Sequence, residues 1–381
     1  VASLVGSEMC IRDRLFSYIS FYQWWKSIDK PILSLILILF LAGLFFSLVS
    51  TSLIASDKLD TNTYFFFFKH TVFVFFGFFL IFILSFIPEK EIYRISLIFF
   101  CLSLVLLFLV PIIGVEIKGS KRWIDLLVLP RIQPIEFVKP FLIVIMSMII
   151  CSQKYTNFNL KYFLSFLLTI LISSLLILQP DIGQTLLIGF SWLVLIFISG
   201  ISIFFLSLVF FISLVTIASI ISYLPQFKYI KDRLFSFFNP EMGTHNFQSD
   251  KALEAIISGG FFGKGIGEGT LKNRVPEAHT DYIISVISEE FGVIFIMLIL
   301  LTYLVLIFSV LKKVYKENDK KIKLILTGSI SLILMQAMIH IGVNIRLFPT
   351  TGMTLPFLSY GGSSIISCLL YTSPSPRDWL Q

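Results

Sequence analysis

Acidic and histidine side chains cluster where a polar stretch becomes a long apolar run. Glu277, His279 and Asp281 end the polar stretch, and Glu289 and Glu290 follow inside the apolar run. Ionisable groups within a membrane span are costly, which makes them candidates for function. Burial at such a boundary raises a carboxylate pKa and suits it to act as a general base. Alternatively, Asp281 or its neighbour Thr280 caps the following helix, and the helix dipole lowers the pKa of a carboxylate at that end. Glu289 and Glu290 then serve to hold neighbouring helices together.

A second polar stretch, KGSKRWIDLLVLPRIQPIEFVKP, combines basic, aromatic and acidic residues. Trp123 follows Lys121 and Arg122, and Glu136 and Lys139 are three positions apart, hence on one face of a helix. Trp123 is either part of a site or an interfacial anchor. The Glu136–Lys139 pair lies either within the helix bundle or at its rim.

A third stretch, SGGFFGKGIGEGTLKNR, alternates glycines with other residues. Its spacing fits neither a P-loop nor a dinucleotide fingerprint, so it predicts no nucleotide site. A flexible loop is the alternative interpretation. Lys264 and Arg274 nevertheless offer cations near the acidic cluster, and cations suit a pyrophosphate group.

The elements that position these residues are apolar. The chain has 381 residues, of which 56% are hydrophobic and 14% charged, against about 45–50% and about 25% in soluble domains. This composition excludes a soluble enzyme, a disordered chain and a nucleic-acid binder, despite the net charge of +7. We predict an all-α integral membrane protein with about ten transmembrane helices. The apolar runs are 31–51, 71–87, 95–113, 141–152, 162–178, 184–199, 202–223, 282–311, 324–344 and a tenth from Leu358.

The distribution of lysine and arginine predicts the orientation of these helices. If the N-terminus is cytoplasmic, the cytoplasmic loops have a higher density of basic residues than the outer loops. Cytoplasmic loops of membrane proteins usually carry this excess, so we predict a cytoplasmic N-terminus. Residues 114–140 and a large loop of residues 224–281, between helices 7 and 8, then face the extracytoplasmic side. We therefore expect any chemistry on that side.

The two ends resemble translated sequencing-library adapter. The strings are LVGSEMCIRDR, from Leu4, and CLLYTSPSPRD, from Cys368. We therefore expect residues 1–14 and 368–381 to be artefacts and 15–367 to form one polytopic domain, truncated in helix 10. The two remaining cysteines, Cys101 and Cys151, indicate neither a disulfide framework nor a metal site.

Five segments in order resemble the SEDS family of shape, elongation, division and sporulation proteins. They are GSKRW with QPIEFVKP, QPDIGQ, SGGFFGKGIGEG, PEAHTDYIISVISEEFG and FPTTGMTLPFLSYGGSS. The resemblance spans residues 15–367, and it favours the division-type members through NPEMGTHNFQSDKALEAIISGG and GVNIRLFPTTGMTLPFLSYGGSS. Ile135 stands where the family usually has serine.

The resemblance implies a peptidoglycan glycosyltransferase that polymerises lipid II. The acceptor GlcNAc 4-hydroxyl would attack the anomeric carbon of a glycan on undecaprenyl pyrophosphate, forming a β-1,4 bond with inversion and releasing undecaprenyl pyrophosphate. Asp281 matches the family's essential acidic residue, as general base or as ligand of a divalent cation such as Mg²⁺ or Mn²⁺. No nucleotide or organic cofactor is expected.

The resemblance also implies supporting residues. Those of the site or its supporting structure are Trp123, Glu136, Lys139, Glu277 and His279. From charge and position we assign pyrophosphate contacts to Lys121, Arg122, Lys264 and Arg274.

The expected partners are a class B penicillin-binding protein, which is a transpeptidase, and other divisome proteins. The expected location is the bacterial inner membrane at the division septum. The alternatives are an elongation-type polymerase, a lipid II flippase that uses Glu289, Glu290 and His340 as a path, or a divisome scaffold with an idle site.

Overall fold

The computed structural model describes most of the predicted membrane domain. The described residues are 25–26, 28–51, 64–87, 89–117, 120–126, 129–152, 158–223, 227–238, 247–270, 275 and 278–371. Arg274, Glu277 and the adapter-like residues 1–14 lie outside this set, as do residues 372–381 of the second adapter-like string.

Each predicted apolar run overlaps a helix, although the tenth run begins four residues before its helix. These helices are α1 Lys30–Thr51, α2 Phe65–Leu84, α3 Glu89–Ile113, α4 Pro134–Cys151, α5 Phe158–Leu178, α6 Ile182–Ile198, α7 Ile203–Tyr223, α10 Ile283–Lys316, α11 Lys320–Asn344 and α12 Gly362–Tyr371. Among the described residues, eight of the helices are long and apolar enough to cross a membrane, whereas α6 and α12 are shorter. The all-α, multi-pass prediction is confirmed. The count of ten spans, the cytoplasmic N-terminus and the domain boundary at residue 367 stay predictions.

Helix α4 begins at Pro134, before the apolar run that predicted it. Proline is favoured in the first helical turn because its missing N–H would have no partner there. The early start places Glu136 and Lys139 on the helix instead of in a loop, and both side chains are buried.

A small antiparallel sheet, which the sequence analysis does not predict, precedes α4. Its strands are β1 Val115–Ile117, β2 Ser120–Leu126 and β3 Leu129–Ile132, in the order β1-β2-β3. Trp123 pairs with Val115, and Ile124 pairs with Ile132. Ladder hydrogen bonds pair the backbone of β2 with β1 and with β3, which fixes the position of β2 within the sheet.

The large loop between the seventh and eighth predicted spans contains two further helices, α8 Lys228–Phe238 and α9 Phe247–Gly259. The close approach of α9 to α10 requires a glycine. A Cβ atom at Gly259 would lie 1.9 Å from the Ser288 carbonyl oxygen. The end of α9 therefore packs directly on the backbone of α10.

The glycine-rich stretch after α9 docks at a break in α10. Gly292 has φ of +81° within that helix, a conformation that glycine adopts without steric cost. Backbone hydrogen bonds cross the break from Val293 N to Gly260 O (3.0 Å), Ile294 N to Phe261 O (3.3 Å), Lys264 N to Glu289 O (2.9 Å) and Gly265 N to Glu290 O (3.0 Å). The glycine-rich loop thus replaces hydrogen bonds that a continuous helix would form within itself.

Residues 349–361, between α11 and α12, are not helical and pass through the helix bundle. Met353, Leu355, Phe357 and Leu358 of this segment are buried. The segment crosses α1 at Gly43, where a Cβ atom would lie 2.7 Å from the Phe357 carbonyl oxygen.

We expect Gly43→Ala to destabilise the protein by about 1–3 kcal/mol, because the added methyl group overpacks against rigid backbone. The matched control is Gly189→Ala in α6, where nothing lies within 4 Å of the added carbon. Relief of the glycine penalty should make that variant more stable by up to about 1 kcal/mol. Thermal unfolding midpoints in detergent compare the two variants, and equal midpoints would contradict the close contact.

Candidate active site

The non-helical segment 349–361 receives hydrogen bonds from side chains of several elements. A peptide group away from water needs a partner, and this stretch lacks the internal bonds of a helix. Five of its carbonyls accept bonds, from Arg233 to Thr350 (2.7 Å), Arg122 to Thr351 (3.4 Å), His340 to Met353 (2.8 Å), Gln336 to Thr354 (3.0 Å) and Tyr303 to Pro356. The donors come from β2, α8, α10 and α11, so the segment joins these elements.

Arg122 extends from β2 into the bundle. Its guanidinium donates to the Pro180 and Thr351 carbonyls, and its Nη1 lies 3.6 Å from Asp181 Oδ1. Only 13% of the Arg122 side chain is exposed. This arginine therefore links the sheet, the α5–α6 turn and the non-helical segment.

Asp181 is both a helix cap and the partner of Arg122. Its carboxylate accepts bonds from Gln184 N and Gln133 Nε2, each 3.4 Å long. Burial raises the pKa of Asp181, while the neighbouring Arg122 charge and the Gln184 bond oppose that rise. Asp181 thus caps α6 and also forms part of the wall around Arg122.

Asp281 lies next to the same segment, just before α10. A Cβ atom at Gly352 would lie 3.5 Å from Asp281 Oδ2 and 3.9 Å from Arg122 Nη1. Gly352 has φ of +71°, so glycine permits both the turn and the approach of the two charged groups. Asn344 at the end of α11 holds the Asp281 backbone by a 3.1 Å bond to its carbonyl.

Glu136 and Lys139 form an ion pair inside the bundle. Lys139 Nζ is 2.8 Å from Glu136 Oε2, with side-chain exposures of 0% and 4%. Gln184 donates to Glu136 (2.9 Å), and Lys139 donates to Gln336 (3.2 Å), which in turn holds Thr354. The pair therefore supports the segment through α6 and α11.

The other predicted site residues lie at varied places. Trp123 is half-buried on β2 and Lys121 is exposed beside it. The His279 ring packs against Phe66 and Tyr360, with centroids 4.8 and 5.9 Å away. Lys264 Nζ lies 3.6 Å from the buried Glu289 carboxylate, about two turns along α10 from Asp281. The pyrophosphate assignments of these residues stay predictions.

Gln184, Gln336 and Arg233 are among the residues of this network that the predicted site lacks. Gln184 and Gln336 are amides within apolar helices, and their position inside spans is the signal that could have identified them. Arg233 lies in a loop helix with other basic residues, and no sequence pattern separates it from them.

A metal ion at Asp281 has limited support from the described residues. The described residues contain no group of three histidine, cysteine, aspartate or glutamate side chains that could hold a metal ion. Among the described residues, Asp281 would supply a single carboxylate to such an ion.

Comparisons with known proteins identify the family of this chain. The FtsW/RodA/SpoVE family, described as cell cycle proteins, matches residues 30–373. A probable peptidoglycan glycosyltransferase FtsW from Caulobacter vibrioides is 32% identical over 345 residues, which cover 90% of this chain and 87% of that protein.

Solved structures show the same fold. A chain of a peptidoglycan synthase complex that coordinates polymerization and crosslinking superposes with a TM-score of 0.73 and 25% identity, covering 91% of this chain and 98% of that one. The rod shape determining protein RodA of Thermus thermophilus gives a TM-score of 0.67 and 25% identity, covering 93% and 98%.

We expect Lys139→Met to destabilise the protein by about 3–5 kcal/mol, because it leaves the buried Glu136 carboxylate without its partner. The control is Arg94→Met, which breaks an exposed pair with Glu91 at the same spacing and should cost about 1 kcal/mol or less. Thermal unfolding in detergent measures both changes. Similar losses in the two variants would show that the Glu136–Lys139 pair is not buried as described.

Proposed function

Since the chain belongs to the FtsW/RodA/SpoVE family of cell cycle proteins, which is the SEDS family of the sequence resemblance, we propose that it is a peptidoglycan glycosyltransferase of the FtsW type. The observation that supports this most directly is the approach of the Asp281 carboxylate and the Arg122 guanidinium to Gly352. An acid or base beside a fixed cation is the arrangement needed to transfer a sugar from an anionic leaving group.

The substrate is lipid II, and the growing strand is a glycan on undecaprenyl pyrophosphate. Asp281 acts as the general base that takes the proton from the GlcNAc 4-hydroxyl of the acceptor. The oxygen then attacks the anomeric carbon of the donor with inversion, and the bond to the pyrophosphate breaks. The electron pair of that bond leaves with the undecaprenyl pyrophosphate.

The surroundings of Asp281 suit this role. Asn344 holds the Asp281 backbone. In the neighbouring segment 349–361, Arg122 and Arg233 hold two adjacent carbonyls. These bonds fix the position of Asp281 relative to that segment. A positioned base contributes about 100- to 10,000-fold to a rate. A divalent cation such as Mg²⁺ or Mn²⁺ at Asp281 remains a prediction.

The protein is a multi-pass membrane protein, and we place its site on the outer face of the inner membrane at the division septum. The match to a chain of a peptidoglycan synthase complex supports an assembly with a class B penicillin-binding protein, which would cross-link the new strands. Other divisome proteins are expected to join that assembly.

We expect Asp281→Asn to lower the polymerisation rate by at least about 100-fold, because the amide keeps the shape but cannot accept the proton. Glycan synthesis from purified lipid II, with the partner transpeptidase present, measures the rate. The control is Asp232→Asn, which removes an exposed carboxylate on α8 and should leave the rate unchanged.

Full polymerisation by Asp281→Asn would refute the assignment of the base. The buried Glu289, Glu290 and His340 within spans are the feature that favours a flippase. Lipid II translocation in liposomes, with no glycan product and no dependence on Asp281, would replace the polymerase proposal by that one. Complementation of cell division by Asp281→Asn would instead indicate a scaffold.

A further inference from the structure

We propose that Arg233 of α8 is a positioning residue for glycosyl transfer, which fixes the peptide before Gly352 and thereby sets the place of the Asp281 carboxylate. This inference rests on the proposed polymerase function and adds a residue to it. Arg233 would act through the segment 349–361 and would not need to touch the substrate.

The first support is the contact itself. Arg233 Nη1 donates a 2.7 Å hydrogen bond to the Thr350 carbonyl, across 117 positions of sequence. The next carbonyl, Thr351, accepts from Arg122. Arg122 comes from the polar stretch 114–140, and Arg233 comes from the loop 224–281. Their guanidinium groups thus bind the carbonyls of two adjacent residues, and Gly352 is the next residue. Bonds from charged donors are stronger than neutral ones, so this short stretch is held firmly on both peptides.

The second support is the position of Asp281 beside the same stretch of backbone. Its Oδ2 lies 3.5 Å from the point that a Cβ atom of Gly352 would occupy. Gly352 is two residues after Thr350, whose carbonyl accepts the bond from Arg233. A shift of the Thr350 peptide would therefore reach the surroundings of the Asp281 carboxylate.

The third support is the way α8 is held. Phe227 and Ile230 form, with Ile221 of α7, a small apolar cluster that is separate from the main core. Arg233 connects this cluster to the site through the Thr350 carbonyl. Without the guanidinium, the peptide of Thr350 loses this donor, and the turn at Gly352 has one fewer contact to define it.

The experiment compares three variants in the complete polymerase assay with lipid II and the partner transpeptidase. Arg233→Gln should lower kcat by about 10- to 100-fold with little change in KM for lipid II, because positioning acts on the transition state. Arg233→Lys should recover to within about threefold of wild type, since it can restore one charged donor to one carbonyl. Lys231→Gln removes an exposed charge from the same helix and should match wild type.

A double-mutant cycle tests whether Arg233 works through the segment. Gly352→Ala strains the turn, because its φ of +71° disfavours a side chain. In that background Arg233→Gln should cost less than about threefold, since coupled residues are not additive. Additive losses, or a raised KM with an unchanged kcat, would overturn the proposal and indicate a direct substrate contact.

Hydrogen–deuterium exchange gives a readout that does not depend on activity. Faster exchange in segment 349–361 is expected for Arg233→Gln and not for Lys231→Gln, in samples that remain folded by gel filtration. Unchanged exchange would overturn the positioning role. An inactive wild-type protein would refute the polymerase function separately, while the exchange result would still decide whether Arg233 fixes the segment.

Discussion

The organising constraint in this structure is the need to satisfy peptide groups where helices break inside an apolar bundle. Water is scarce there, so every freed carbonyl and N–H must find a protein partner. The chain meets this need at two places, the segment 349–361 and the kink at Gly292. At the first place the donors are mostly side chains of distant elements. At the second, backbone groups of a glycine-rich loop both donate and accept the bonds. The loop can approach closely because neither Gly263 of the loop nor Gly292 of α10 has a Cβ atom.

The candidate site follows from the first of these solutions. Because Arg122, Arg233, Gln336 and His340 must reach the same stretch of backbone, the sheet, α8 and α11 converge on it. Asp281 enters beside this stretch because Asn344, one turn beyond His340 on α11, holds its carbonyl. The buried Glu136–Lys139 pair adds a further layer through Gln336. Support of this kind gives a carboxylate a defined position, which catalysis by a general base requires.

The sequence predicted the apolar helices well because hydropathy and helix formation are local properties. Asp281 and Arg122 were also recognisable, since a charge beside an apolar run is visible in the sequence itself, and the segment 349–361 lies within one of the five family-like motifs. The three-stranded sheet was not predicted, because its pairing depends on contacts between strands. The pairing of Arg122 with Asp181 and the use of Gln336 as a bridge depend on helix packing, which hydropathy does not describe. The role of Arg233 is non-local for the same reason, because its acceptor is 117 residues away.

The break at Gly292 also separates the buried start of α10 from its exposed remainder. Residues before it, from Ile283 to Glu290, are buried, whereas large apolar side chains beyond it, such as Met297, Leu304 and Phe308, are exposed. The exposed part has the length of a complete lipid-facing span. A change in bilayer thickness is normally accommodated by a change in helix tilt. The glycine-rich loop is hydrogen-bonded to residues on both sides of the break. A tilt of the exposed part of α10 would therefore act first on this joint, which lies between that part and Asp281.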